Sequence, residues 1–255
     1  MLNLHTIKYI LFSMTCLFLS QSVTAEQQSN LGCDAKYVQL KTTNDQPFTV
    51  YVAGPEHAEQ GLLLIHGWWG LNKEIETWTN QFAAAGYRVM AIDLFNQQVT
   101  TYPKRARELM NGVNQSVAND KFAAAINALS APERKLAIIG RSYGANQALH
   151  AALVAQEKVS ATILYYPFEE VVTDKNILKA VKAPILGHFA QQDYFFTPDM
   201  LTQFTTVIKK SGLTMTVNMY DAKHAFTNPT GKNFNIPAFT LSQQRTYEFL
   251  NKYLN

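Results

Sequence analysis

Cysteine is nearly absent: the 255-residue chain has two, Cys16 and Cys33. Cys16 falls in an N-terminal apolar run, so the rest of the chain holds Cys33 alone and cannot build an internal disulfide. Charge is also sparse, at 16 %, and nearly balanced, with 22 Lys and Arg against 19 Asp and Glu. The densest basic cluster, Lys104, Arg105 and Arg107, reads as a solvated helix face. No basic stripe interleaved with aromatics is present, and this excludes a nucleic-acid footprint. Internal repeats, low-complexity tracts and long Pro/Gly/Ser linkers are missing, so one domain is the economical reading. A long hydrophobic run is missing as well. The stretch Tyr9 to Leu19 is too short to cross a hydrocarbon core of about 30 Å comfortably.

That stretch has a different use. Lys8 precedes it, polar Ser20-Gln21-Ser22 follows, and Val23-Thr24-Ala25 offers small or short residues at the −3 and −1 positions of a cleavage site. Residues 1–25 therefore read as a signal peptide, leaving a mature chain of residues 26–255 that is periplasmic or secreted, with no stable membrane insertion after cleavage. A retained anchor is the alternative. The composition, 47 % hydrophobic and 12 % aromatic, supplies a sizeable core and argues against disorder.

Beyond residue 35 the pattern is regular. Lys36–Thr43 and Phe48–Ala53 alternate with period two, like antiparallel edge strands. Short apolar runs at Leu62–Ile65, Tyr87–Ile92, Leu136–Ile139, Thr162–Tyr165 and Pro184–Gly187 read as strands buried on both faces. Helices are expected between them, at Lys73–Ala85, Tyr102–Met110, Val117–Leu129, Ala145–Gln156 and Pro198–Ser211. A last strand, Met215–Tyr220, and a last helix, Pro237–Tyr253, close the chain. Strands alternating with helices predict an α/β fold with a mostly parallel central sheet and helices on both faces. Sites in such sheets form at the carboxyl ends of the strands.

One of those ends carries Gly140-Arg141-Ser142-Tyr143-Gly144, a G-x-S-x-G sequence between strand and helix. The chain must reverse within about one residue, which leaves Ser142 strained and its hydroxyl exposed above the sheet. Glycines on either side let neighbouring backbone approach closely. The Tyr143 amide, at a helix N-terminus, is a candidate oxyanion donor.

A serine hydroxyl needs a histidine to take its proton and a carboxylate to orient that histidine. In this kind of fold they follow the serine in the order acid, then histidine. His224, in a loop just past the last strand, is favoured over His188, which sits at a strand end among apolar residues and reads as a hydrogen-bonded core residue. Asp193, in the loop after Pro184–Gly187, is the candidate acid. Asp199 reads as a helix start, Asp221 as part of a turn, and Asp93 precedes the serine. The second oxyanion donor is expected from the loop His66-Gly67-Trp68-Trp69-Gly70, with the Trp68 amide as candidate. Gly67, Trp69, Phe95, Tyr166 and Phe226 are the expected pocket residues. Arg141 offers a positive charge near the site or points into a surface salt bridge.

Taken together, Leu64–Asn72, Ala91–Phe95, Gly140–Gly144, the loop around Asp193 and Tyr220–Phe226 resemble the dienelactone hydrolase family of α/β-hydrolases, over nearly all of the mature chain. The resemblance implies an α/β-hydrolase fold and ester hydrolysis without metal or organic cofactor. Three departures stand out. The family's dienelactone-opening members use a Cys where this chain has Ser142, and a Glu where it has Gly67. The arginines that hold the substrate carboxylate in those members would fall near Gln97 and Asn228, neither of which is charged. The resemblance thus implies a serine hydrolase for a neutral small-molecule ester, working as a monomer through an acyl-enzyme. A catalytically silent ligand-binding protein on the same fold is the alternative. A metal-assisted hydrolase using His66, His188 and His224 lacks metal-ligand spacing on any one element.

Overall fold

The structure is a computed structural model that describes residues 35–168 and 178–255. The expected signal peptide and Cys33 lie outside the described residues. Short Val-, Ile- and Leu-rich segments pair edge to edge into one sheet. The strands are β1 (Lys36–Lys41), β2 (Pro47–Ala53), β3 (Gln60–Ile65), β4 (Arg88–Ile92), β5 (Lys135–Arg141), β6 (Ala161–Tyr165), β7 (Ile185–Ala190) and β8 (Met215–Tyr220). Their order is β1-β2-β4-β3-β5-β6-β7-β8. The first three in that order pair antiparallel and the remaining pairs are parallel. This is the mostly parallel sheet that the sequence predicts. β5, which leads to Ser142, lies in its interior.

The helices are α1 (Lys73–Ala84), α2 (Pro103–Asn111), α3 (Gln115–Leu129), α4 (Tyr143–Ala155), α5 (Pro198–Lys210) and α6 (Ile236–Leu254). Their starts are written in the sequence. Asn72, Asn114, Thr197 and Asn235 each accept backbone N–H bonds at the head of α1, α3, α5 and α6. Such a cap contributes about 1 kcal/mol, because it satisfies donors that the first turn leaves orphaned. Pro103 and Pro198 open α2 and α5, where a missing N–H costs nothing.

The two-residue period of a strand divides the core into two layers. Leu62 and Leu64 of β3 and Ile139 of β5 face α1 and α6, packing with Trp78, Phe82 and Leu250. Leu63, Ile65 and Ile138 face the other way, toward Phe122 of α3, Leu149 of α4 and Phe204 of α5. Each of these side chains is almost wholly buried, worth about 1.5–3 kcal/mol apiece relative to exposure. Among the described residues no helix is long and apolar enough to cross a membrane.

One boundary moves in a way that matters. The strand read as Pro184–Gly187 runs on to Ala190. His188 therefore lies inside β7, and Asp193 follows three residues after the strand ends. Gly187, the last residue of the expected strand, is a packing position inside β7: a Cβ there would sit 2.3 Å from the Phe189 ring.

Candidate active site

At the carboxyl end of β5 the chain turns into α4 at Ser142, whose backbone sits at φ 56, ψ −125. A non-glycine residue there is strained, and the surroundings must hold it. Two close approaches do so. A Cβ on Gly140 would lie 1.9 Å from the Gly144 carbonyl oxygen, and one on Gly144 would lie 2.2 Å from the Ile65 carbonyl oxygen. Both glycines of the motif are thus required by contact with neighbouring backbone. The Ser142 N–H donates to the Tyr165 carbonyl at the end of β6 (2.9 Å).

The three sequence-predicted catalytic residues meet. Ser142 Oγ lies 2.8 Å from His224 Nε2. His224 Nδ1 lies 2.8 Å from Asp193 Oδ2. The other oxygen of Asp193 accepts the Phe195 and Phe196 amides (2.9 and 3.2 Å), so the carboxylate is held on both sides. His224 is held from behind as well, since Asn233 Nδ2 donates to its carbonyl (2.9 Å). The imidazole is 5.1 Å from the Tyr166 ring, 4.9 Å from Phe195 and 6.1 Å from Phe168, edge to face in each case. Ser142, Asp193 and His224 are all buried, which strengthens their mutual electrostatics relative to water.

The loop after β3 is held by His66. The Leu94 amide donates to His66 Nε2 (3.1 Å), so the ring proton is on Nδ1, which donates to the Gly67 carbonyl (2.7 Å). Burial lowers the pKa of this imidazole and keeps it neutral. A trans peptide points its C=O and N–H to opposite sides. Fixing the Gly67 carbonyl therefore fixes the direction of the Trp68 N–H, the expected oxyanion donor. The other donor candidate, Tyr143, is the first residue of α4.

Ser142 and His224 open onto a cavity of about 610 Å³. Gly67, Trp68, Trp69 and Tyr166 line it as expected. Two expected pocket residues do not. Phe95 is buried below the floor, stacked on Tyr143 at 5.9 Å and edge-on to His66 at 4.6 Å. Phe226 is buried between Tyr166 and Tyr220, 5.2 and 5.1 Å away. Each follows a strand end, and its side chain turns into the core instead of toward the opening. Sequence reasoning missed Phe168 and Tyr194. Phe168 lies three residues past the end of β6, and the strand-end rule alone would have pointed to it.

Arg141 is not a surface residue. Its Nη1 pairs with Glu74 Oε1 of α1 at 2.9 Å, and its guanidinium lies 3.5 Å from the centre of the Trp78 ring. Burial pushes the Glu74 carboxyl up, against the opposing pull of Arg141. His188 bonds Tyr220 and Thr246 and lies away from the cavity. Asp93 accepts the Phe95 amide and closes its own loop. Among the described residues no group of three or more His, Cys, Asp or Glu side chains is gathered as for a metal ion.

Comparison with known proteins bears on this geometry. A family model described as "Dienelactone hydrolase family" matches residues 48–254. A protein of Aquifex aeolicus, provisionally named a carboxymethylenebutenolidase, is 25 % identical over 189 residues, covering 70 % of this chain and 81 % of its own. A Klebsiella pneumoniae structure, provisionally titled a dienelactone hydrolase, aligns with TM-score 0.75 at 17 % identity, covering 86 % of this chain and 99 % of its own. An esterase of Pyrococcus furiosus aligns with TM-score 0.62 at 16 % identity, covering 89 % and 95 %. At such identities the two structures speak for the fold, the α/β-hydrolase fold.

Proposed function

The chain belongs to the dienelactone hydrolase family, and from that premise we propose that it is a serine carboxylesterase acting through an acyl-enzyme. The observation that carries this reading is the continuous chain from Ser142 Oγ through His224 to Asp193, with 2.8 Å at each link, at the wall of a large cavity. An alkyl hydroxyl is inert toward esters at neutral pH until a base removes its proton in the transition state. His224 Nε2 is within reach to do so. Asp193, on Nδ1, holds the tautomer and stabilises the imidazolium that forms.

Ser142 attacks the acyl carbon and its proton passes to His224. The carbonyl oxygen becomes an oxyanion facing the Trp68 and Tyr143 amides, which need no reorganisation to receive it. His224 returns the proton to the departing alcohol. A water then gives its proton to His224, attacks the acyl group, and the acid leaves with Ser142 restored. Gly67 stands where dienelactone-opening members carry a Glu, and the oxygen nucleophile makes do with His224 and Asp193. Asn228 on the cavity wall is uncharged and Arg141 there is paired with Glu74, and on these two residues we read the substrate as an uncharged ester, with the exposed Lys232 also lining the cavity. We extend the proposal to location: the chain is exported and cut after Ala25, which N-terminal sequencing of the mature protein tests.

The direct test assays protein from Glu26 onward and its Ser142→Ala variant on nitrophenyl esters of increasing acyl length. Turnover in the first and its loss in the second are expected. Equal turnover in both sinks the assignment.

A further inference from the structure

A second cavity, of about 570 Å³, adjoins the first. The two share Trp69, Asn72, Glu74, Arg141, Asn228 and Gly231 among their lining residues, so they lie side by side, with a Ser142 end and a far end. The ends differ in chemistry. The Ser142 end is walled by Trp68, Phe168, Tyr194 and Phe195, with Lys232 and Asn233 at its side. The far end is walled by Thr77, Gln81, Thr100, Thr101 and Thr230, with the Trp69 and Phe239 rings beside them.

The Arg141–Glu74 pair stands on the shared wall. A buried pair of this kind is costly to desolvate, and replacing it with apolar side chains often stabilises a protein. Its presence beside a nucleophile therefore calls for a use. A single Nη1–Oε1 contact joins the two groups, so their hydrogen-bonding capacity is not fully spent on each other. The pair is neutral as a whole. Lys73, which also lines the far end, is itself paired with Glu76 at 2.8 Å, so an ion entering there finds no unpaired countercharge among Arg141, Glu74 and Lys73. What suits a neutral donor–acceptor pair, several hydroxyls and amides, and two aromatic faces is a ligand with many hydroxyls on a carbon skeleton.

We propose that the far cavity is the subsite for the alcohol half of the ester, and that it takes a neutral polyhydroxylated alcohol such as a sugar or polyol, with the acyl group in the apolar end. This rests on the serine-esterase reading above and names its substrate class. The orientation follows from His224. The leaving oxygen must approach His224 Nε2 to receive its proton. The segment that follows His224 runs from the first cavity, lined by Ala225, Asn228 and Gly231, into the far one, lined by residues 227–231, so a substituent on that oxygen has a continuous wall leading to the far end. Hydroxyl recognition discriminates strongly, because an analogue without the hydroxyl leaves the site's polar groups unpaired.

The test compares butyrate esters of glucose, glycerol, hexanol, glycolate and choline, as kcat/KM, alongside nitrophenyl butyrate. Two variants accompany the mature protein. Glu74→Gln changes the chemistry of the shared wall. Thr77→Phe, at an exposed position of α1, fills the far cavity and serves should the first variant not fold. The glucose or glycerol ester is expected to exceed the hexyl ester by about tenfold or more, with that ratio collapsing in either variant. A preference for the hexyl, glycolate or choline ester overturns the proposal, as does a ratio unmoved in the folded variants, while the esterase reading stands on nitrophenyl turnover. Absence of turnover on every ester overturns both.

Discussion

His188 and His224 are the same residue in comparable burial on neighbouring parts of one sheet, yet only one of them is placed for chemistry. His188 lies within β7, at 0 % exposure, and His224 lies past β8, at 7 %. Both rings have both nitrogens engaged. The partners of His188 are hydroxyls, Tyr220 at 2.8 Å and Thr246 at 3.0 Å, and its ring stacks on Tyr165 at 4.4 Å. The partners of His224 are a carboxylate and a serine hydroxyl on a strained turn. Burial favours the neutral ring of His188, whereas His224 has a carboxylate, Asp193, placed against its Nδ1. His188 has none, and burial, helped by Arg245, holds its pKa at about 3. The difference teaches that the partner and the position relative to the strand end decide what a buried histidine does.

The sharpest way to break this comparison is to remove each ring in turn. His224→Ala should lower kcat on nitrophenyl esters by about 10⁴- to 10⁶-fold, as expected when a triad member is lost. His188→Gln should leave kcat within a few-fold, and steady-state assays on folded protein check both. Exchanging the partners is the next test. Asp193→Asn should cost about 10⁴ in kcat, since the amide disfavours the required tautomer. Tyr220→Phe, which removes only one hydroxyl from His188, should leave kcat nearly unchanged. It should lower stability by about 1 kcal/mol, read from urea midpoints.

A further effect is on pH dependence, and its sign follows from His188. A histidine in the unfolded chain takes its proton near pH 6.5, whereas folded His188 takes it only near pH 3. Between those values the unfolded chain binds the extra proton, so stability falls as pH falls through that window. The slope from one such group is at most about 1.4 kcal/mol per pH unit. Urea midpoints at pH 4 to 7 should show a shallower slope in His188→Gln than in the parent. An equal slope would place the acid sensitivity elsewhere.

The contrast between the two histidines was legible in the sequence because each depends on local signals. Gly140-Arg141-Ser142-Tyr143-Gly144 encodes a backbone geometry, and Asp193 and His224 follow it in chain order after successive strands. The sheet was legible for the same reason: continuous apolar runs such as Leu62–Ile65 pack on both faces and have few other options. What was not legible depends on side-chain direction or on distant partners. Phe95 and Phe226 follow strand ends like true pocket residues, but rotate inward onto Tyr143 and Tyr166. Arg141 finds Glu74 from 67 positions away, and nothing in its own neighbourhood names that partner. The strand expected at Pro184–Gly187 runs on to Ala190, and Gly187 lies inside it with Phe189 and Met215 packed close, a contact that depends on a neighbouring strand.

The central claim is that Ser142 forms the covalent acyl-enzyme with His224 as its base. The most direct measurement treats the mature protein, His224→Ala and Ser142→Ala with a fluorophosphonate and follows adduct formation by intact-mass and peptide mass spectrometry. The account predicts one adduct per chain on the peptide carrying Ser142, formed far more slowly in His224→Ala and not at all in Ser142→Ala. An adduct on another residue, or ester turnover that survives in Ser142→Ala, would contradict it.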